Sequence, residues 1–212
     1  MAGCCAITSP DPRYRCRLVV MVKLPRPGRV KTRLAKGIGA VRATWWMRWQ
    51  LRHLRRLIDP RWELVLAVAP DVAVGAPEFL RAVPRVAQGA GDLGDRMARI
   101  FRQLPPGPVC IIGADIPDIS RAHVARAFTA LGQSEAVFGP ASDGGYWLVG
   151  MRRVRGVPAN LFSGVTWSSP QTLAQSIASL RGRSVHLVDQ LDDVDDVADL
   201  QAIAGRRAVR AR

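Results

Sequence analysis

Short apolar runs alternate with stretches in which apolar residues recur at helical spacing. Strands are predicted at 17–22 (RLVVMV), 63–69 (ELVLAVA), 84–88 (PRVAQ) and 109–117 (VCIIGADIP, running into a loop). Two more, 135–141 and 146–151, lie around a glycine turn, and a last one is expected at 184–189. Helical periodicity appears at 41–58, 92–104, 120–131, 169–180 and 196–203. In the first of these Val41, Trp45 and Trp49 share one face, with Trp46, Leu54, Leu57 and Ile58 close by, and the tryptophans are expected in the core. Pro60 ends that helix, Ser120 caps the third, and Ser169–Pro170 reads as an N-cap with proline at the first helical position.

Strands that alternate with helices at this pace predict one α/β domain, a three-layer α/β/α arrangement around a mostly parallel, twisted sheet. The domain is expected over 17–203, after a disordered leader at 1–16 and before a basic tail at 204–212. In such sheets ligands bind outside the carboxyl ends of the strands. The polar motifs all follow strands there.

Charge changes the picture more than composition does. Thirty-one Lys+Arg stand against 17 Asp+Glu, a net +14, and nearly all the excess is arginine. The basic residues do not interleave with aromatics as a base-stacking platform requires, so nucleic acid is disfavoured as a partner. No apolar run has the roughly 20 residues of a membrane span, and the N-terminus lacks a signal-peptide core. A cytoplasmic protein with no membrane partner is expected. The cysteines, Cys4, Cys5, Cys16 and Cys110, form no C-x-x-C and no paired framework, which fits reduced thiols and argues against zinc.

The densest charge is KLPRPGRVKTRLAKG, 23–37, directly after the first strand. It is not a Walker A loop, because Val30 rather than glycine precedes Lys31. It is still a strand-to-helix loop stiffened by Pro25 and Pro27, with Gly28 permitting a turn. Backbone N–H groups and cations in such a loop can converge on phosphate oxygens. Lys31 and Arg33, two apart, point to one side of an extended segment. Lys31→Ala and Arg33→Ala should each weaken triphosphate binding while leaving the ligand-free melting temperature unchanged or slightly raised, because removing a charge from an unoccupied cationic loop relieves repulsion.

Three further motifs carry carboxylates. In GADIPDIS, Asp115 follows an apolar strand and suits either a cap or a hard-cation ligand, and Gly113 allows close approach. Asp143-Gly144-Gly145 reads as a hairpin turn. In DDVDDVADL, 192–200, acids precede a helix, where the dipole favours negative charge, or supply a second metal carboxylate, Asp195 foremost. The helix opening at DLGDRM, 92–97, lies at the same sheet edge. Its N-terminus, with Gly91, Asp92 and Gly94, is expected to face the base or ribose of a nucleotide. His53, His123 and His186 read as structural or exposed.

Taken in order, these motifs resemble a family of bacterial GT-A-like proteins of the nucleotide-diphospho-sugar-transferase fold, the DUF2064 group. The resemblance rests on Lys23–Leu34, Gln88–Met97, Gly113–Pro117, Gly139–Tyr146, 161–169 and DVDDVADL, and covers roughly 17–203. More distantly the group is similar to phospholactate and molybdenum-cofactor guanylyltransferases. Two positions depart from pattern. Gly113 stands where many glycosyltransferases of this fold begin a D-x-D, which tilts the reading toward nucleotidyl transfer, and Asp196 stands where the family usually has Thr.

The resemblance implies a metal-dependent, nucleotide-using transferase. Lys23, Arg26, Lys31 and Arg33 would neutralise phosphate charge, and Asp115 with Asp195 would hold Mg²⁺ or Mn²⁺. Lys31, Arg33 and Asp115 would be catalytic, and Asp143, Gly144, Gly145 and Trp167 would lie on the acceptor side. Nucleotidyl transfer with release of pyrophosphate is the leading expectation. The alternatives are glycosyl transfer from a nucleotide-sugar and non-catalytic binding of nucleotide or nucleic acid.

Overall fold

The computed structural model describes residues 14–210 apart from positions 78 and 81. Seven strands form one sheet in the order β3-β2-β1-β4-β6-β5-β7. They are β1 (Arg17–Lys23), β2 (Glu63–Ala69), β3 (Arg85–Ala87), β4 (Val109–Gly113), β5 (Ala136–Pro140), β6 (Tyr146–Met151) and β7 (Val185–Leu187). The helices are α1 (Thr32–Ile38), α2 (Ala40–His53), α3 (Leu93–Gln103), α4 (Arg121–Leu131), α5 (Thr172–Ala178) and α6 (Val197–Arg210).

β1 is central. It pairs in parallel with β2 and β4, with Val19 opposite Val65 on one side and Ile111 on the other. Only β6 runs against its neighbours, because a tight turn joins it to β5. Near-continuous apolar strands bury both faces of the sheet. Leu18, Val20 and Val22 pack on one face with Met47 and Leu51 of α2 and Val124, Ala127 and Phe128 of α4. Val19, Val65 and Ile111 face the other way, onto Met97, Ile100 and Phe101 of α3. The three-layer α/β/α architecture is therefore as expected. A small third cluster, Leu34, Ala43, Val194 and Ile203, joins α1, α2 and α6. Among the described residues no helix is long and apolar enough to cross a membrane.

Several local expectations are corrected. The end of the basic loop is helical: α1 occupies Thr32–Ile38. The helix expected at 41–58 is α2 plus a 3-10 turn, Leu54–Leu57. Its Val41–Trp45–Trp49 face points to solvent, while Ala43, Thr44, Met47, Gln50 and Leu51 are buried. Both faces are apolar, so periodicity located a stripe without saying which stripe meets the sheet. α5 starts two residues after Pro170, with Gln171 at its N-cap position, because Ser169 and Thr172 hydrogen-bond within a preceding turn. His123 completes the capping box of α4 by accepting from Ser120 N (3.2 Å). α6 continues through the start of the basic tail to Arg210. Cys16, assigned to the leader, is buried, and its carbonyl accepts from Glu63 N at 2.9 Å. Cys4 and Cys5 lie outside the described residues.

Candidate active site at the carboxyl edge of the sheet

β1, β4, β5 and β7 all point their carboxyl ends to one edge, and each is followed there by a polar segment. Three aspartates converge. Asp115 follows β4, while Asp193 and Asp195 lie in the extended chain between β7 and α6, and one carboxylate oxygen from each falls within 4.8 Å of the others. Val194 explains the spacing. Its side chain is buried against α1, α2 and α6, and its N–H donates to Asp115 O (3.3 Å). In extended backbone the residues on either side of a buried one point the opposite way, so Asp193 and Asp195 face the cluster together.

Lys31 enters this cluster from the basic loop. It precedes α1 with φ 46° and ψ 51°, a left-handed conformation unusual for a residue with a side chain, of the kind that gathers at functional sites. Its ammonium ion-pairs with Asp115, lies 3.0 Å from Asp195 Oδ1 and 3.8 Å from Asp193 Oδ2, and its side chain is only 8 % exposed. Burial works against the ammonium, but Asp115 and then Asp195 outweigh it and hold the Lys31 pKa above its ordinary value. Arg33 closes the outer side, donating to Asp195 Oδ2 at 2.8 Å. Asp195 is disfavoured as an anion by burial, yet Lys31 and then Arg33 hold its pKa below the ordinary carboxylate value. Asp193 is pushed up to about 7, by burial first and then by the charge of Asp115. Three carboxylates against the Lys31 ammonium and the Arg33 guanidinium leave at most one negative charge in excess, and the raised pKa of Asp193 lets a proton offset it.

The expectation of an uncompensated cationic loop is thus corrected for two of its members. Lys31 and Arg33 are paired to acids 164 and 162 residues away in the chain. Lys23, Arg29, Lys31, Arg33, Gly113 and Asp115 line a cavity of about 450 Å³. Arg26 is exposed and is not part of that lining, and Gly28 turns the loop with φ 72°. A Cβ at Gly113 would come within 2.7 Å of Asp115 Oδ1, so glycine here leaves room for the Asp115 carboxylate.

Asp196, the departure from the family pattern, has a local role. It accepts from Asp199 N (3.1 Å), and Asp199 accepts in return from Asp195 N and Asp196 N, a reciprocal cap on α6. Asp193, not Asp196, joins Asp115 and Asp195. Sequence reasoning named the acidic run and missed Asp193. Its two-residue spacing from Asp195 was the available signal.

The remaining expected residues fall into two groups at the same edge. Asp92 caps α3 in a capping box with Asp95, and Gly91 sits at φ 100° directly before it. Trp167 donates from Nε1 to Asp92 Oδ2 (3.2 Å) and packs over Gly94. Trp167 therefore stands with the α3 N-terminus. Asp143 turns the β5–β6 connection by accepting from Gly145 N (2.8 Å), and Gly144 O accepts from Leu173 N (3.0 Å). The charge of Asp143 is felt at Asp193. A buried Gln88, in the segment before α3, donates to Val22 O (3.0 Å) and Ala67 O (2.8 Å) and ties β1 and β2 together at this edge.

Three aspartates, a buried lysine and a cationic loop thus meet at the carboxyl edge of the sheet, where α/β folds of this kind bind their ligands. Residues 53–169, more than half of the chain, match the family described as an uncharacterized protein conserved in bacteria, DUF2064, and the chain belongs to that family. A crystal structure from Desulfovibrio desulfuricans G20, provisionally described as a nucleotide-diphospho-sugar transferase, is similar over 90 % of this chain and 86 % of its own, with 28 % identity and a TM-score of 0.80. CMP:2-keto-3-deoxy-manno-octonic acid synthetase in complex with CTP shares the fold over 93 % of this chain and 100 % of its own, at 14 % identity and TM-score 0.55. So does a Mycobacterium tuberculosis H37Rv protein in complex with manganese, over 90 % and 97 %, at 16 % identity and TM-score 0.52. No curated protein matches the chain significantly by sequence.

Proposed function

We propose that this protein is a metal-dependent, nucleotide-using transferase whose reaction is nucleotidyl transfer from a nucleoside triphosphate to a phosphorylated or hydroxyl acceptor, with release of pyrophosphate. The observation that carries this reading is the convergence of Asp115, Asp193 and Asp195 on the loop that supplies Lys31 and Arg33. Three hard oxygen donors fit a divalent ion such as Mg²⁺ or Mn²⁺ and suit soft metals poorly. A bound ion would supply charge neutralisation and Lewis acidity at phosphate oxygens.

The chain's own residues do the rest. Lys23 and Arg29 present cations on the wall of the cavity, where a phosphate chain would be held, and Arg26 is exposed in the same loop. Lys31 and Arg33 are already at the acids and can turn to phosphate oxygens when another cation satisfies the carboxylates. Gly91, Asp92 and Gly94 at the α3 N-terminus are assigned to base or ribose. Asp143, Gly144 and Gly145 are assigned to the acceptor, and Trp167, through Asp92, to the boundary between the two. Catalysis would be positioning and charge stabilisation rather than covalent participation. The fold shared with a CTP-bound synthetase and a manganese-bound protein supports this reading.

Glycosyl transfer from a nucleotide-sugar is the second reading, favoured by the 28 % identical Desulfovibrio protein. A panel of nucleoside triphosphates and nucleotide-sugars in thermal shift, with and without Mg²⁺ or Mn²⁺, followed by a pyrophosphate-release assay on any binder, separates the two. Stabilisation by a triphosphate only with metal, and pyrophosphate release with an acceptor, is expected. Stabilisation by nucleotide-sugars alone would favour glycosyl transfer. Affinity that is metal-independent and falls steeply with salt would replace both with a non-catalytic binder.

A further inference from the structure

The outward face of α2 has an unusual composition. At 100° per residue, Arg48, Val41, Arg52, Trp45, Trp49 and Arg42 fall in that order within an arc of roughly 120°. Val41 is 60 % exposed, Trp45 62 % and Trp49 40 %. The opposite face, centred on Met47 and Gln50, is the one buried against the domain. Single exposed apolar residues are common, but these three stand one turn apart on one line and make a continuous strip. Arg42, Arg48 and Arg52 are exposed along it and have no acidic partner among the described residues. Between Pro12 and Ile58 the sequence has 14 Lys or Arg and no Asp or Glu. Whatever covers this strip must accept aromatic rings and Val41 and also be anionic.

We infer that the outer face of α2 docks on an anionic lipid surface, with the tryptophans at the headgroup boundary and the arginines on lipid phosphates. Tryptophan is favoured at that boundary, where an apolar ring and a polar N–H are both accommodated. Arginine can lay its stem along the apolar strip and extend its guanidinium to phosphate. A helix with bulky apolar residues and basic side chains on its outward face is the usual form of a peripheral lipid contact. A second copy of the chain is the poorer partner, since it brings the same basic strip and another net +14 into contact. A nucleic acid would satisfy the arginines and could stack on the tryptophans, but beyond base faces and thymine methyl groups it offers less apolar surface for the whole strip than a lipid headgroup boundary does. Met47, on the inner face of the same helix, lines the cavity that holds Lys31 and Asp115, so docking would place that cavity about one helix diameter, roughly 10 Å, from the lipid. This peripheral contact differs from the expectation of no membrane partner, which vesicle binding would decide, and is independent of which transfer reaction the site performs.

The test is sedimentation of the full-length protein with vesicles of phosphatidylcholine alone and of phosphatidylcholine with phosphatidylglycerol. Binding only to the phosphatidylglycerol vesicles, weakened by salt, is expected. Arg48→Gln and Arg52→Gln should each lower the partition coefficient about fivefold. The Trp45→Ala/Trp49→Ala pair should reduce binding at least as strongly. Trp45→Ala alone, at a residue 62 % exposed, should also reduce it with the thermal unfolding of the free protein unchanged, whereas the Trp49 ring also packs on His53 at 3.9 Å between ring centroids. Failure to bind the anionic vesicles overturns the proposal. So does vesicle binding that neither the single arginine substitutions nor the tryptophan pair affects, which would trace it to the general positive charge. Binding to a single-stranded RNA, or self-association in sedimentation velocity, that depends on Trp45 and Trp49 in the absence of vesicle binding would assign the face to those partners instead.

Discussion

Lys31 Nζ lies 3.0 Å from Asp195 Oδ1, although 164 residues separate the two in the chain. The same ammonium ion-pairs with Asp115, so one buried cation holds together the ends of β1 and β4 and the segment before α6. In the absence of another cation, Lys31 is what makes the carboxylate cluster tolerable.

Lys31→Met should therefore destabilise the metal-free protein, contrary to what a free cationic loop would do. Leaving partly buried carboxylates without their charged partner costs roughly 1–3 kcal/mol. Arg33→Ala should cost under about 1 kcal/mol, because the Arg33 side chain is 63 % exposed and its pair is screened. Urea unfolding of both variants in EDTA checks the contrast. Equal, negligible losses would show that the Lys31 pairs do not hold the fold.

Asp115→Asn and Asp195→Asn should each abolish the rise in melting temperature produced by Mn²⁺ or Mg²⁺. A ligand that binds only the folded protein stabilises it by about 2.7 kcal/mol at 100 times its dissociation constant, so the wild-type response is measurable by scanning fluorimetry. An undiminished response in either variant would remove that residue from the metal site.

Asp193 predicts a pH dependence for the metal-free protein. Its folded pKa, pushed up to about 7, lies above the ordinary carboxylate value. A carboxyl raised in this way contributes its stability fully below the unfolded pKa, and that contribution is lost as pH rises through the folded value. Stability in EDTA should consequently fall between about pH 4 and pH 7 by more in the wild type than in Asp193→Asn. Saturating divalent metal should remove the difference. Denaturant midpoints across that range decide it, and identical pH profiles would mean that neither burial nor the charge of Asp115 raises Asp193 in the folded protein.

Gly94→Ala tests the packing of α3 against the 161–169 segment. A Cβ there would meet Trp167 Cζ2 at 2.7 Å and Phe162 Cβ at 2.8 Å. Overpacking of this kind costs roughly 1–3 kcal/mol, more than alanine gains in helix propensity. Trp167→Phe should be milder, losing mainly the bond to Asp92. A Gly94→Ala variant as stable as wild type would show that the tryptophan loop yields freely.

Local chemistry written in the sequence carried over to the structure wherever near neighbours sufficed. Apolar runs buried on both faces became β1, β2 and β4, and Ser120 capped α4, because strand and cap are decided within a few residues, although the cap expected at Ser169 gave way to a turn that starts α5 at Thr172. The strand-end placement of the basic loop, Asp115 and the acidic run also followed from the β-α order alone. Tertiary structure decided what depends on distant partners. Two apolar stripes on α2 read alike in sequence, and only the seating of Met47 and Leu51 against the sheet turned Trp45 and Trp49 outward. Likewise no local rule pairs Lys31 with Asp195 or selects Asp193 over Asp196. That selection comes from burying Val194 beside α1, which points its two flanking carboxylates at an ammonium that the sequence places at the far end of the chain.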